Sequence, residues 1–236
     1  PRHRDTLVNT WAVVAGADIT RNAQASRWPE QTPAARGHDG ASSHGPRRAD
    51  HGPRPGYCEL HAHTAFSFLE GASAPEDLAE RAARVGLPAV AVTDRAGVYG
   101  IPRCHKAARE AGVEAIVGAE AVLEDGTRLP LLVQSAHGYS NLCRLLTSGA
   151  LGRPKGEGQV TWELLALHAD GLFALAGGEG GPLVRAWRHR GEEAAQHVLR
   201  RLVEIFGCER VAVEIQRHQR RGEEVRNVAL VRLART

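Results

Sequence analysis

The spacing of apolar and polar positions changes character at residue 57. Up to Gly56 the chain carries Ser, Gly, Pro, Arg and His without a repeating apolar spacing, and Thr32 to Gly56 offers no face to bury. This predicts a disordered leader over residues 1–56, with His38, His44 and His51 as solvated linker side chains. From Tyr57 onward, short apolar runs alternate with amphipathic stretches. Tyr57–Leu60 reads as a strand entering a polar loop. Pro75 then opens a helix capped by Ser73 or Ala74, with Glu76 and Asp77 in its first turn, where carboxylates complement the helix dipole. Leu78, Ala82 and Val85 form its buried stripe, and Gly86 ends it.

The next run, Ala89–Thr93, is uniformly apolar up to its threonine and so reads as a strand buried on both faces. A helix over Ile101–Ala111 stops at Gly112. Val113–Val117 and Ala119–Leu123 read as strand, and Asp125-Gly126 turns into Leu129–Gln134 as a hairpin. Tyr139–Leu146 and Trp162–His168 have helical spacing, and Leu172–Ala176 is again a buried strand. Helices over Pro182–His189 and Glu192–Phe206 precede a strand at Arg210–Ile215 and a last helix at Glu223–Arg235. This alternation predicts an α/β domain over residues 57–236, a parallel sheet or barrel with helices outside, whose chemistry collects at the carboxyl ends of the strands.

Composition narrows the picture only a little. The 42% of hydrophobic residues suffices for a core, and a net charge of +3 in 236 residues permits nucleic-acid contact without arguing for it. The four cysteines are scattered without a Cys-x-x-Cys pair, which argues against a zinc knuckle or disulfide framework and fits a reducing cytoplasm. The apolar stretch Leu7 to Ile19 is interrupted by Asn9, Thr10 and Asp18 and is too short to span a bilayer, so no membrane partner is expected.

Candidate chemistry sits at three strand ends. The first strand runs into Glu59-Leu60-His61-Ala62-His63-Thr64, and histidines two apart after a strand can aim both imidazoles into one pocket. Glu70 lies in the same loop. The second strand ends Thr93-Asp94-Arg95, and the third reaches Gly118-Ala119-Glu120. Each has a bland alternative: a chance pair among 12 histidines, a turn-capping Asp94, a solvated Glu120. Their joint placement at strand ends of one sheet points to a metal cluster of His61, His63, Glu70 and Glu120, with Asp94 and Arg95 beside it.

The run Glu59 to Ala72 (ELHAHTAFSFLEGA) resembles the opening motif of the PHP domain of bacterial C-family DNA polymerases, replicative and error-prone. Ala91-Val-Thr-Asp94, Gly118-Ala-Glu120, Gly138-Tyr-Ser-Asn-Leu142 and His168 to Gly177 follow in that family's order. Val213-Glu-Ile-Gln-Arg-His218 and Glu223 to Asn227 are similar to the error-prone branch. The resemblance implies a distorted (β/α)7 barrel holding up to three divalent metals for phosphoester hydrolysis, here incomplete at its C-terminus.

By the same resemblance His61 and His63 match the opening ligand pair, Glu70 stands where an aspartate is common, and Glu120 matches a ligand. Arg95 replaces an expected histidine, Ser148-Gly149 another, and Gly178 a cysteine, while the closing Asp-x-His pair is expected beyond Thr236. Arg95 puts a fixed charge beside the cations and can take a cation's place by pairing with Glu70 or Glu120. The expectation is a degenerate, mainly structural domain with no confident catalytic residue and at most one divalent metal (Zn, Mn or Mg) on His61, His63 and Glu120. The parent would be an error-prone DNA polymerase using DNA, dNTPs and Mg in a separate polymerase domain, with a sliding clamp and repair factors as partners. An active phosphoesterase or 3′–5′ exonuclease, a stand-alone histidinol-phosphatase-like enzyme and a pure docking module are the alternatives.

Overall fold

The computed structural model describes residues 9–13 and 57–235. Its centre is one seven-stranded sheet in the order β1-β7-β6-β5-β4-β3-β2. The strands are β1 (Asn9–Val13), β2 (Glu59–Ala62), β3 (Ala89–Val92), β4 (Glu114–Val122), β5 (Arg128–Val133), β6 (Leu172–Ala176) and β7 (Val211–Arg217). The helices are α1 (Pro75–Arg84), α2 (Ile101–Ala111), α3 (Ala136–Ala150), α4 (Trp162–Leu167), α5 (Pro182–Phe206) and α6 (Glu223–Leu233). β1 and β2, at opposite ends of this order, also approach each other, so the sheet curls as an incomplete PHP-type barrel does.

Local sequence explains most boundaries. The backbone N–H of Ala74, not Ser73, is the one capped at α1, accepted by Asp77 Oδ2 at 3.1 Å. Gly112 ends α2 at φ 72°, a conformation that only glycine adopts without strain. Ser135 and Thr161 cap α3 and α4 by accepting the N–H of Gly138 and Leu164.

The two strand runs expected on either side of Gly118 are one strand. Residues 114–117 of β4 pair with β3 in parallel, and residues 118–122 pair with β5 antiparallel. A Cβ at Gly118 would lie 2.7 Å from the Leu131 carbonyl oxygen, so the strand changes partners where only glycine fits. β5 is antiparallel to both neighbours, which makes the sheet mixed. Within the leader, β1 pairs antiparallel with β7, from Asn9 opposite Arg217 to Val13 opposite Val213. The rest of the leader, including His38, His44 and His51, lies outside the described residues.

Alternation along the strands sorts the side chains into two sets. Ala119, Ala121, Leu129, Leu131, Leu172, Ala174, Val211, Val213 and Ile215 join the main core with helices α3 to α6. On the opposite face Ile116, Leu132, Phe173, Leu175 and Ala212 form a separate apolar floor with Leu60 and Ala91. Continuing two residues at a time on that second face leads to Glu120 on β4, Pro130 and Arg128 on β5, and Glu214 and Gln216 on β7. Charged residues therefore gather at one end of a face whose other end is apolar.

Candidate metal centre at the strand ends

His61 and His63 leave the end of β2, and a register irregularity between Glu59 and Ala62 turns this segment across the face. Glu120 arrives two residues after Gly118 and is 4% exposed. Ligand atoms of His61, His63 and Glu120 all lie within 4.8 Å of one another. His61 Nε2 is 3.0 Å from Glu120 Oε1, and its Nδ1 is 2.8 Å from Glu214 Oε1. Gln216 Nε2 donates to the same Glu214 oxygen at 2.7 Å, and the backbone N–H of His61 donates to Glu59 Oε1 at 3.1 Å.

The imidazole of His61 is thus clamped between two buried carboxylates. Burial alone would lower its pKa, but Glu214 and then Glu120 outweigh that effect and raise it to about 10. Glu120 feels the reverse balance: burial pushes it up, while the contacts from His61 and His63 hold it far below the usual carboxylate range. A high His61 pKa favours the imidazolium, which together with the Arg128 guanidinium balances this acidic pocket.

Glu70 and Asp94 have separate fates. Asp94 is 1% exposed and accepts from Thr64 N, Thr64 Oγ1 and Ser67 Oγ, each at 2.7 Å. Ser67 Oγ in turn accepts from Arg95 N at 3.0 Å. Asp94 therefore shapes the loop 64–71 and offers no free oxygen to a cation. That loop closes tightly, since a Cβ at Gly71 would sit 2.1 Å from the Thr64 carbonyl oxygen, and it presents Glu70 at the mouth of the cluster.

Two guanidiniums meet Glu70 there. Arg95 Nη1 donates to Oε1 at 3.2 Å, and Arg128 Nη1 donates to Oε2 and lies 3.3 Å from Glu120 Oε2. His63 Nδ1 is 3.7 Å from Glu70 Oε2. Arg95 reaches Glu70 and not the carboxylate of Glu120, which it meets only through an isolated backbone bridge between the two residues.

The donor set fits one divalent cation. His63 Nε2 is buried without a hydrogen bond, 3.4 Å from Glu120 Oε2, and Glu214 Oε2 is likewise buried and unpaired. Orphaned polar atoms of this kind mark a place for an ion or water. Beside Glu214 lies Gly178, whose Cβ would stand 3.2 Å from Oε2 and 3.8 Å from His61 Cε1, so a side chain here would enter the cluster.

Glu214, Gln216 and Arg128 are the site residues that sequence reasoning missed. Glu214 carries a signal, a lone charge inside the apolar run Val211–Ile215. Arg128 carries only the indirect signal of the hairpin expected at Asp125-Gly126, whose return sets it opposite Val122.

The sequence model of the PHP domain matches residues 59–218. Among curated proteins, the error-prone DNA polymerase of Mycolicibacterium paratuberculosis is 40% identical over 190 residues, covering 75% of this chain and 17% of that protein. The error-prone DNA polymerase of Mycobacterium bovis is 39% identical, covering 80% of this chain and 18% of its own length. That of an Anaeromyxobacter species is 42% identical, covering 76% and 15%. The chain thus spans less than a fifth of these relatives' lengths.

Among solved structures, an amidohydrolase from Chromobacterium violaceum has a TM-score of 0.34 and 20% identity over 47% of this chain and 48% of that one. A protein described as a metal-dependent phosphoesterase, from Bifidobacterium adolescentis, has a TM-score of 0.31 and 16% identity over 77% and 76%. With the family's motif residues gathered at one end of the curled sheet and its sequence model matched from Glu59 to His218, this chain belongs to the PHP domain family.

Proposed function

We propose that this chain is the PHP domain of an error-prone DNA-directed DNA polymerase, and that the domain serves mainly as a scaffold around a degenerate metal centre. The observation that carries this reading is the pair of guanidiniums, Arg95 and Arg128, on Glu70 at the mouth of the cluster, with Arg128 also beside Glu120. A multinuclear hydrolase needs two or three cations clustered among imidazoles and carboxylates. A guanidinium cannot deprotonate to coordinate, and its fixed charge both satisfies the carboxylates and repels a second cation.

His61, His63 and Glu120 would hold one divalent ion, zinc, manganese or magnesium, which when bound would supply Lewis acidity to a phosphoester oxygen. Glu214 would orient His61 through Nδ1, as the outer partner of a metal-bound imidazole does. Glu70, tied to two arginines, would stay out of the coordination sphere.

The relatives' name supports a parent that polymerises DNA. Use of dNTPs and Mg in a separate polymerase domain, and a place in replication and damage-tolerant repair synthesis, are part of the same proposal. A sliding clamp and accessory repair factors in the cytoplasm would be its partners. Among the described residues no helix is long and apolar enough to cross a membrane. A second reading, an active phosphoesterase or 3′–5′ exonuclease, is favoured by the unpaired His63 Nε2 and Glu214 Oε2.

Assays of the chain on a 3′-labelled single strand and on a phosphomonoester, each with added Mn or Zn, separate the two readings. The scaffold reading expects no release above buffer. Release that disappears in His61→Ala would replace it with the hydrolase reading.

A further inference from the structure

Helix α5 is broken in its middle, at Gly191, where φ is 84° and ψ −172°. A Cβ there would meet nothing within 4 Å, so the glycine serves the turn of the backbone and not close packing. The break makes two walls from one helix. Arg185, His189 and Arg190 come from its first half, His197 and Arg201 from its second, and with Trp162 of α4 they line a cavity of about 530 Å³. That volume suits a small organic ligand.

The polar groups of this cavity are almost all donors. Its single lining carboxylate, Asp125, is already engaged: Oδ1 accepts from the N–H and hydroxyl of Thr127 at 2.9 and 2.6 Å, and Oδ2 lies 3.9 Å from Arg185, whose Nη1 also donates to the Asp125 carbonyl. Glu163, outside the lining, pairs with Arg201 at 3.6 Å. Among the described residues Arg190, His189 and His197 have no hydrogen bond or ion pair from their side chains. The guanidinium of Arg201 lies 4.4 Å from the centroid of the Trp162 ring, so the cavity wall includes a flat cation–aromatic stack. The Arg190 guanidinium and the two imidazoles offer donors to phosphate, and the planar stack offers a surface to a base, the two halves of a nucleotide.

We propose that this cavity binds a free nucleotide, its phosphates on Arg185, Arg190 and the two imidazoles and its base against the Trp162–Arg201 stack. Guanidiniums bind phosphate oxygens through paired N–H groups, and a nucleobase stacks on an indole or a guanidinium plane. The cavity shares no residue with His61, His63, Glu70 or Glu120, so nucleotide binding here needs no metal.

The test is calorimetric titration of ADP into the full chain in EDTA, with pyrophosphate and a single-stranded oligothymidylate in parallel. The expected result is saturable binding of one ADP per chain, weakened at least about tenfold in the R190A/R201A double variant, with pyrophosphate weaker by a similar factor. Arg109→Ala, on the exposed face of α2, should leave it unchanged. The substituted arginines are exposed, so the variants keep their fold. Absence of saturable ADP binding overturns the proposal, as does an equal loss in Arg109→Ala. Pyrophosphate binding as tightly as ADP removes the base from the site, and tighter binding of the oligonucleotide reassigns it to nucleic acid.

Discussion

Asp94 spends a buried carboxylate on building a loop. With both oxygens engaged by Thr64 and Ser67, it holds the segment that carries Glu70 and lies behind the metal centre. Asp94→Ala leaves those buried donors without an acceptor and should cost about 3 kcal/mol, because hydrogen bonds to a charged group are the expensive ones to lose. A urea midpoint unchanged from wild type would contradict this role. His61→Ala strands Glu120 and Glu214 together without their shared cation, and removing one partner of such a buried set costs roughly 3–5 kcal/mol. Thermal melts in chelator would read that loss, and a variant as stable as wild type would mean that the clamp contributes nothing. The imidazole pair was legible in the sequence because it stands at the end of a short strand, and Glu120 was singled out as a strand-end residue although it lies inside β4. For Asp94 the sequence left two readings open, a neighbour of the metal or a turn cap, because a carboxylate after a strand looks the same whether it faces a metal or the donors of a neighbouring loop; the hydrogen bonds decide for the loop.

At the level of elements, α6 fastens the end of β7 beneath the centre. Arg226 and Asn227 donate to the Gln216 carbonyl at 3.1 and 3.0 Å, while Glu223 accepts from the N–H of His218 and pairs with Arg226 at 3.1 Å. Burial would raise the Glu223 carboxyl, but these N–H groups and Arg226 outweigh it and hold it below the ordinary carboxylate range. A folded value below the unfolded one stabilises above the ordinary value of about 4.3 and loses that contribution as pH falls through the lower folded value. The melting-temperature gap between wild type and Glu223→Gln should therefore be full at neutral pH and narrow toward about pH 3. A gap constant across that window would contradict it.

The other edge of β7 is covered by β1. Deleting the first 20 residues should expose that edge and promote self-association, measurable by sedimentation, whereas a monomer of unchanged stability would contradict the pairing. Helices and caps were largely legible because their signals are local: Pro75, Gly112 and Gly191 each mark a boundary where the structure has one. The hairpin of β4 and β5 was legible too, from its Asp125-Gly126 turn. The partner change at Gly118, the antiparallel pairing of β5 with β6 and the pairing of β1 depend on residues far apart in sequence, and no local spacing encodes them.

Across the whole molecule, one face of the curled sheet carries an apolar floor at one end and, at the other, a centre in which protein cations stand among the carboxylates. On the proposed reading, those guanidiniums let the domain keep its imidazole pair and Glu120 without several metals to balance the charge. The most direct test is metal content per chain, by inductively coupled plasma mass spectrometry after reconstitution with zinc or manganese, for wild type and for the R95H/R128A double variant. The account predicts at most one ion per chain in the wild type, lost in His61→Ala, and a further ion gained in the double variant. Two or more ions in the wild type, with no gain in the variant, would contradict it.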